Sequence, residues 1–279
     1  MQVFSNFKHL KTITQQSTML FSWNRTTLLF LLILFVSANI HAQNKKEYYQ
    51  LKTYTLLNET QEELVDTYLE KAFLPALKRY GINTVGVFKV HSDKFIKSDK
   101  IHVLIPFTSL VEFEALEDYL VQDKAHLLAG EAYLLAAHDK APYERINSVL
   151  MRAFKDMPNL KPTAVEGARA SRVYELRSYE SPTETTYKNK VHMFNEGGEV
   201  ALFDSLGFNA VFYAEVVSGD AMPNLMYMTT FSNMDKRDEL WKRFFESDKW
   251  TALKEDEYYK NNMKKADVML LYPTEYSDY

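Results

Sequence analysis

Glu175, Arg177 and Tyr179 occupy alternate positions of Tyr174-Glu175-Leu176-Arg177-Ser178-Tyr179, placing an acid, a base and a phenol within five residues. Alternate side chains of an extended strand share a face. The three therefore line one polar surface, with Leu176 on the opposite one. Such a set could bind a small carbonyl or carboxylate compound, with Arg177 gripping an anion through a forked pair of hydrogen bonds. The competing structural reading is that Glu175 and Arg177 pair with groups of the other half of the chain and fasten the interface between the halves.

Histidine offers less. Beyond residue 42 the chain has His91, His102, His126, His138 and His192, and none pair at the i, i+3 or i, i+4 spacing of a helical metal site. His102 falls on an expected strand and His192 on an expected helix; either could act as a general base or haem ligand if it faced a cavity. A packed or solvated histidine is the commoner case. The sequence has no cysteine, and no Gly-rich phosphate loop, nucleophile elbow or dinucleotide fingerprint. No metal and no cofactor is expected.

The elements that must position these residues repeat. Tyr49-Gln50-Leu51-Lys52-Thr53-Tyr54 returns 125 positions later as Tyr174 to Tyr179, and Gly81-Ile82-Asn83 returns as Gly207-Phe208-Asn209 at an offset of 126. Phe107 to Leu110 matches Phe231 to Met234 at 124, and Asp123-Lys124 matches Asp248-Lys249 at 125. Matches in constant order and spacing point to a duplicated small domain.

In the second copy a strand near 173–179 precedes Ser181-Pro182-Thr183-Glu184, where Ser181 can cap a helix and Glu184 bond back to it. That helix should break at Gly197-Gly198 and end at Gly207. Strands near 209–216 and 225–231, a helix from about 232, another capped by Asp248, and a strand near 267–272 follow. The first copy runs through a strand at 47–56, a helix at 60–80 that Pro75 should kink, strands near 83–90 and 101–107, helices near 110–137 and a strand near 145–154. Each copy has the β-α-β-β-α-(α)-β order of a ferredoxin-like unit. Residues 43–154 thus make one domain, 155–171 a linker with Pro158, Pro162 and Gly167, and 172–279 the second domain. A four-stranded sheet with helices on one face must cover its other face. The expected α+β architecture presses two bare faces together, with Glu175, Arg177 and Tyr179 on the barrel-facing side.

The second copy resembles the NIPSNAP family. The residues that carry the resemblance are Tyr174 to Tyr179, Gly207-Phe208, Asn224, Ser232-x-x-Asp235-Lys236-Arg237-x-x-Leu240-Trp241 and Asp248-x-Trp250. The resemblance covers about residues 172–273, with 47–154 a diverged copy. It implies a dimeric α/β barrel, here within one chain. It implies no settled reaction, since family members are better known as interaction or scaffold proteins. Fold relatives include cofactor-independent monooxygenases, haem-degrading enzymes and small-molecule isomerases. Where the family pattern has His-x-Trp-x-Tyr this chain has Tyr227-x-Thr229-x-Phe231, and Gln50 and Lys52 stand where the second copy has Glu175 and Arg177. The candidate ligand-binding residues are Glu175, Arg177, Tyr179, His102 and Tyr227. A binding or interaction module is one expectation; a cofactor-independent monooxygenase- or isomerase-like enzyme with its site inside the barrel is the other.

The first 42 residues hold Lys8, Lys11 and Arg25, no acidic residue, and the apolar run Leu28 to Val36. A basic start, a short apolar core and a small residue at Ala42 compose a secretory signal peptide, too short in its apolar part to span a bilayer. Met19 offers a second start. Cleavage after Ala42 leaves 30 Lys and Arg against 37 Asp and Glu, a net charge of −7. That balance suits an exported periplasmic or extracellular protein and argues against nucleic acid as partner. A small molecule, another protein or a second copy of the chain stay open as partners.

Overall fold

The computed structural model describes residues 45–90, 99–161 and 163–279. The signal-peptide reading and His91 lie outside them. Eight antiparallel strands form a closed barrel: β1 (Tyr48–Thr55), β2 (Gly86–Val90), β3 (Lys100–Phe107), β4 (Arg145–Ala153), β5 (Val173–Glu180), β6 (Asn209–Ser218), β7 (Asn224–Phe231) and β8 (Lys265–Pro273). Their order around the barrel is β1-β3-β2-β8-β5-β7-β6-β4. The first four strands therefore lie as β4-β1-β3-β2 and the last four, in the same pattern, as β8-β5-β7-β6. Two seams close the ring: Phe88, Lys89 and Val90 against Pro273, Tyr272 and Leu271, and β4 against β6 with Ala153 opposite Ala214.

The helices cover the outside. In the first half α1 (Glu59–Tyr68) begins where Asn58 accepts a bond from the Gln61 N–H, satisfying an orphan donor of the first turn. It passes into a π-helical turn, Leu69–Phe73, and α2 (Leu74–Tyr80) carries Pro75 in its first turn. The expected kink at Pro75 is instead this widened turn, in which the Leu74 N–H reaches Leu69. Proline offers no N–H to an inner turn, and the wider turn fits it without breaking the rod. Gly81 closes α2 with φ of 114°. Three short helices follow: α3 (Leu110–Leu120), α4 (Lys124–Ala129), capped by Asp123, and α5 (Glu131–Leu134).

In the second half α6 (Glu184–Phe194) is capped by Thr183 in a box with Thr186. The sequence pointed to Ser181, but its hydroxyl donates to the Asn262 carbonyl. The break at Gly197-Gly198 is present, Gly198 adopting φ of 81° before α7 (Glu199–Leu206), and Gly207 ends α7 with φ of 86°. α8 (Met234–Phe245) and α9 (Asp248–Glu255) complete the layer. Ser247, not Asp248, caps α9 by accepting the Trp250 N–H, leaving Asp248 in the first turn, where a carboxylate also suits the helix dipole.

Three cores result. Helices α1–α5 pack on the outer face of the first sheet around Leu69, Phe73, Leu77 and Ile105. The second helical layer packs around Phe194, Phe203, Trp241 and Phe244. Between them the barrel interior is filled by Tyr49, Leu51, Phe88, Leu104, Met151, Tyr174, Leu176, Phe212, Met226, Met228 and Tyr279. Residues 274–279 fold back along the start of β2: the Val85 N–H donates to Asp278, and the Val87 N–H to Ser277. Tyr279 thereby enters the barrel beside Phe88, 5.6 Å between ring centroids. Gly86 makes the room, since a Cβ there would stand 2.4 Å from the Phe88 ring and 3.1 Å from that of Tyr279. Gly86→Ala is expected to lower stability by about 1–3 kcal/mol through overpacking, read as a lower urea midpoint with unchanged slope.

Candidate functional site

Strand alternation does place Glu175, Arg177 and Tyr179 together, but on the outer face of the barrel, under α8. The barrel interior receives Tyr174 and Leu176 instead. This reverses the expected orientation. Glu175 is wholly buried, and its carboxylate is enclosed by donors. The Arg177 Nε lies 2.5 Å from Oε1, while the Arg237 Nε at 2.6 Å and the Trp241 indole N–H at 2.9 Å reach Oε2. The Arg177 guanidinium stacks on the Trp241 ring at 3.8 Å and donates to the Tyr179 hydroxyl at 2.9 Å. That hydroxyl lies 2.8 Å from the hydroxyl of Tyr227. The partners come from the same half of the chain, not from across the interface as the structural reading of the sequence had it.

A buried carboxylate needs such company, because desolvation alone would expel the charge. Burial would by itself lower the Arg177 guanidinium, yet Tyr227, Tyr179 and Glu175 around it hold it above its ordinary value. A second buried pair, Lys190 with Glu199 at 3.2 Å, lies on the same side, and burial pushes the Glu199 carboxyl up. These groups satisfy one another. Four of the candidate residues are thus brought together as a fastening between β5, β7 and α8.

His102 stands apart, in the barrel wall opposite Phe88 on β2. Its Nδ1 lies 3.0 Å from the Thr53 hydroxyl, and its Nε2 is buried without a partner among the described residues. Burial, assisted by Lys100, lowers it to about 4. His192 meets the Tyr259 hydroxyl at 2.9 Å. His126 is buried between the Leu120 carbonyl and the Tyr68 hydroxyl. Among the described residues no three His, Asp or Glu side chains are grouped to hold a metal ion.

A residue not singled out in the sequence marks a better candidate site. A cavity of about 370 Å³ lies between α7, the start of β6 and Asp156, Met157, Lys161 and Ala164, within the usual range for small-molecule sites. Met157, Val200, Ala201, Phe208 and Ala210 give it apolar walls; Asp156, Lys161, Asp204 and Asn209 add polar groups. Tyr213 belongs to the same wall, and its buried hydroxyl has no hydrogen-bond partner among the described residues. Burial, then the charges of Glu199 and Asp204, push that phenol well above its ordinary value, so it stays a neutral donor. Main-chain bonds pin the outer wall to the barrel: the Phe154 N–H reaches the Tyr213 carbonyl at 2.9 Å and the Lys161 N–H the Val211 carbonyl at 3.1 Å. The side chain of Asn209 accepts from the Ala164 N–H.

With this geometry in view, the chain can be compared with known proteins. Residues 174–278 match the NIPSNAP family model. This stretch of the chain is similar to the NIPSNAP family. It contains Glu175, Arg177, Arg237 and Trp241, so the sequence elements of the resemblance meet in one buried network. Among solved structures, a candidate monooxygenase from Fusobacterium nucleatum subsp. nucleatum ATCC 25586 is 9% identical, with a TM-score of 0.53 over 82% of this chain and 92% of its own. A second, from Lactobacillus acidophilus NCFM, is 10% identical with a TM-score of 0.53 over 82% and 94%. A NIPSNAP family protein from Agrobacterium tumefaciens str. C58 is 20% identical over 38% of this chain and 96% of its own, with a TM-score of 0.33. The first two share the fold. No curated protein matches the sequence.

Glu175→Ala leaves Arg177 buried without its carboxylate and is expected to cost about 3–5 kcal/mol in chemical denaturation. His102 gives a separate, pH-dependent signature. Its folded value near 4 lies below the ordinary 6.5, so the unfolded chain takes up the proton first. Its contribution is complete above pH 6.5 and lost as pH falls towards 4, up to ~3 kcal/mol. The difference in stability between wild type and His102→Gln should shrink over that window. An unchanged difference from pH 7 to 4 would remove His102 as the titrating group.

Proposed function

We propose that this is an exported small-ligand-binding protein of NIPSNAP type, built from two tandem ferredoxin-like units, with its ligand in the cavity beside α7. The observation that carries the reading is the buried, unpartnered hydroxyl of Tyr213 in the wall of a cavity of about 370 Å³. An unsatisfied buried hydroxyl costs about 1–3 kcal/mol, which a ligand that displaces the cavity wall far enough to reach it would recover. The apolar walls suit a small hydrophobic or aromatic body, and Lys161 suits an anionic or carbonyl group at the rim. Export rests on the basic start, the apolar run Leu28 to Val36 and Ala42. Among the described residues no helix is long and apolar enough to cross a membrane.

The alternative, an enzyme of monooxygenase or isomerase type with its site inside the barrel, has less support. Tyr49, Phe88, Tyr174, Phe212 and Tyr279 occupy that interior, and the two named candidate monooxygenases share only the fold, which does not fix chemistry.

The probe for the cavity is 1-anilinonaphthalene-8-sulfonate, an apolar aromatic body with one anionic group. Fluorescence titration of the purified protein should give a saturable site. Ala201→Trp, which fills the cavity from α7, should weaken it at least ten-fold with little change in melting temperature; Tyr213→Phe should weaken it two- to five-fold. Equal dye affinity in wild type and Ala201→Trp would reject the cavity as the site.

A further inference from the structure

The cavity beside α7 is apolar where it is buried and charged where it is open. Met157 and Phe208 in its lining are 4% and 5% exposed. Asp156, Lys161 and Asp204 line the same cavity and are exposed. Among the described residues none of these three charges makes a side-chain hydrogen bond or an ion pair. Charges close by are treated differently: Lys155 meets Glu196 at 3.1 Å, Lys190 meets Glu199 at 3.2 Å and Arg152 meets Glu215 at 3.2 Å.

The main chain holds the three charges in place. The Lys161 N–H donates to the Val211 carbonyl at 3.1 Å, and the Asp156 N–H to the Asn195 side chain at 3.1 Å. Asp204 follows Val200 by four residues and Ala201 by three on α7, so all three share the helix face that borders the cavity. Opposite charges are thus fixed around one opening without neutralising each other. A ligand with a carboxylate alone gains Lys161 but faces two like charges. One with an ammonium alone gains two carboxylates but faces Lys161. Like charges count against a ligand as opposite charges count for it, and a ligand bearing both signs at one end of an apolar body meets the whole rim.

We propose that the cavity takes a free α-amino acid with an apolar or aromatic side chain, an inference that rests on the small-ligand reading above. The side chain packs against Met157, Val200 and Phe208. The ammonium faces Asp156 and Asp204, and the carboxylate faces Lys161. A residue inside a peptide chain carries neither charge, so the class is the free amino acid.

Isothermal titration calorimetry of the purified protein at pH 7 tests this with L-phenylalanine, 3-phenylpropanoate and phenethylamine, which share one ring and differ in the charged end. An exposed charge pair contributes up to roughly five-fold in affinity, and each analogue also leaves a like charge unbalanced. L-Phenylalanine should therefore bind at least five-fold more tightly than either analogue. Asp204→Asn should narrow its lead over 3-phenylpropanoate, and Lys161→Gln its lead over phenethylamine, each to about two-fold. Both leads unchanged in the two variants would overturn the roles of these side chains. If an analogue binds as tightly as L-phenylalanine and Ala201→Trp weakens it, the cavity reading stands and the amino-acid class is overturned. No heat from any of the three, with dye binding still sensitive to Ala201→Trp, would also overturn the class alone. L-Phenylalanine binding unchanged in Ala201→Trp would overturn the class and the cavity together.

Discussion

Closure of the barrel is the constraint on which the rest depends. Either four-stranded sheet alone would carry one bare apolar face and two unpaired edges, and an open edge invites pairing with another chain. Joining β2 to β8 and β4 to β6 removes all four edges at once. It also turns both bare faces into a single interior, where Tyr49, Phe88 and Leu104 from one half meet Tyr174, Phe212 and Leu271 from the other. Among the described residues the β2–β8 seam is short, pairing Phe88 to Val90. Residues 274–279 lengthen it with the bonds of Ser277 and Asp278 to β2 and its approach, and Arg169 ties that turn down through the Thr274 and Ser277 carbonyls.

An interior filled this way has no place for charge, so charge is sorted to the outer faces and handled there. Glu175 with two arginines and an indole is a solution in which every strong group has a partner. Such a network contributes little net stability beyond an apolar replacement, because desolvation offsets most of the attraction. Its effect is on arrangement: Arg237 and Trp241 on α8 can reach Glu175 only if α8 sits in one register over β5. The ring of Trp241 then fixes Phe208 and Phe203 at 5.1 and 5.7 Å, and Phe208 lines the cavity beside α7.

Much of the strand order was legible, since the repeat of Tyr49–Tyr54 in Tyr174–Tyr179 aligned the halves, Gly197-Gly198 marked a helix break and Gly207 a helix end. Orientation was not. Alternation tells which side chains share a face, and polarity then picks the wet one, but β5 is buried on both faces and every residue of β7 is buried. Polarity at Glu175 therefore signalled a partnered charge beneath a helix rather than a lining of the interior. Caps at Ser181 and Asp248 missed by one or two residues because Thr183 and Ser247 offered equally good oxygens nearby. The cavity was invisible because its walls come from α7, β6 and the linker, and Tyr213 reads in sequence as one more strand aromatic.

The unpartnered polar atoms separate places a ligand can relieve from places it cannot. Tyr174 and Tyr279 each bury a hydroxyl without a partner, but their rings face each other and Phe88 at 4.9–6.2 Å, so relief there would require opening the barrel seam. Tyr213 is held as firmly on one side, with Tyr227 at 5.5 Å and Phe203 at 6.0 Å. Its other side borders the cavity, whose outer wall is formed by Asp156, Met157, Lys161 and Ala164 rather than by a strand. A wall fixed by a few main-chain bonds opens at far lower free energy than a barrel seam. An unsatisfied hydroxyl is therefore a packing cost in the barrel, and beside α7 it is the binding group of the proposed function.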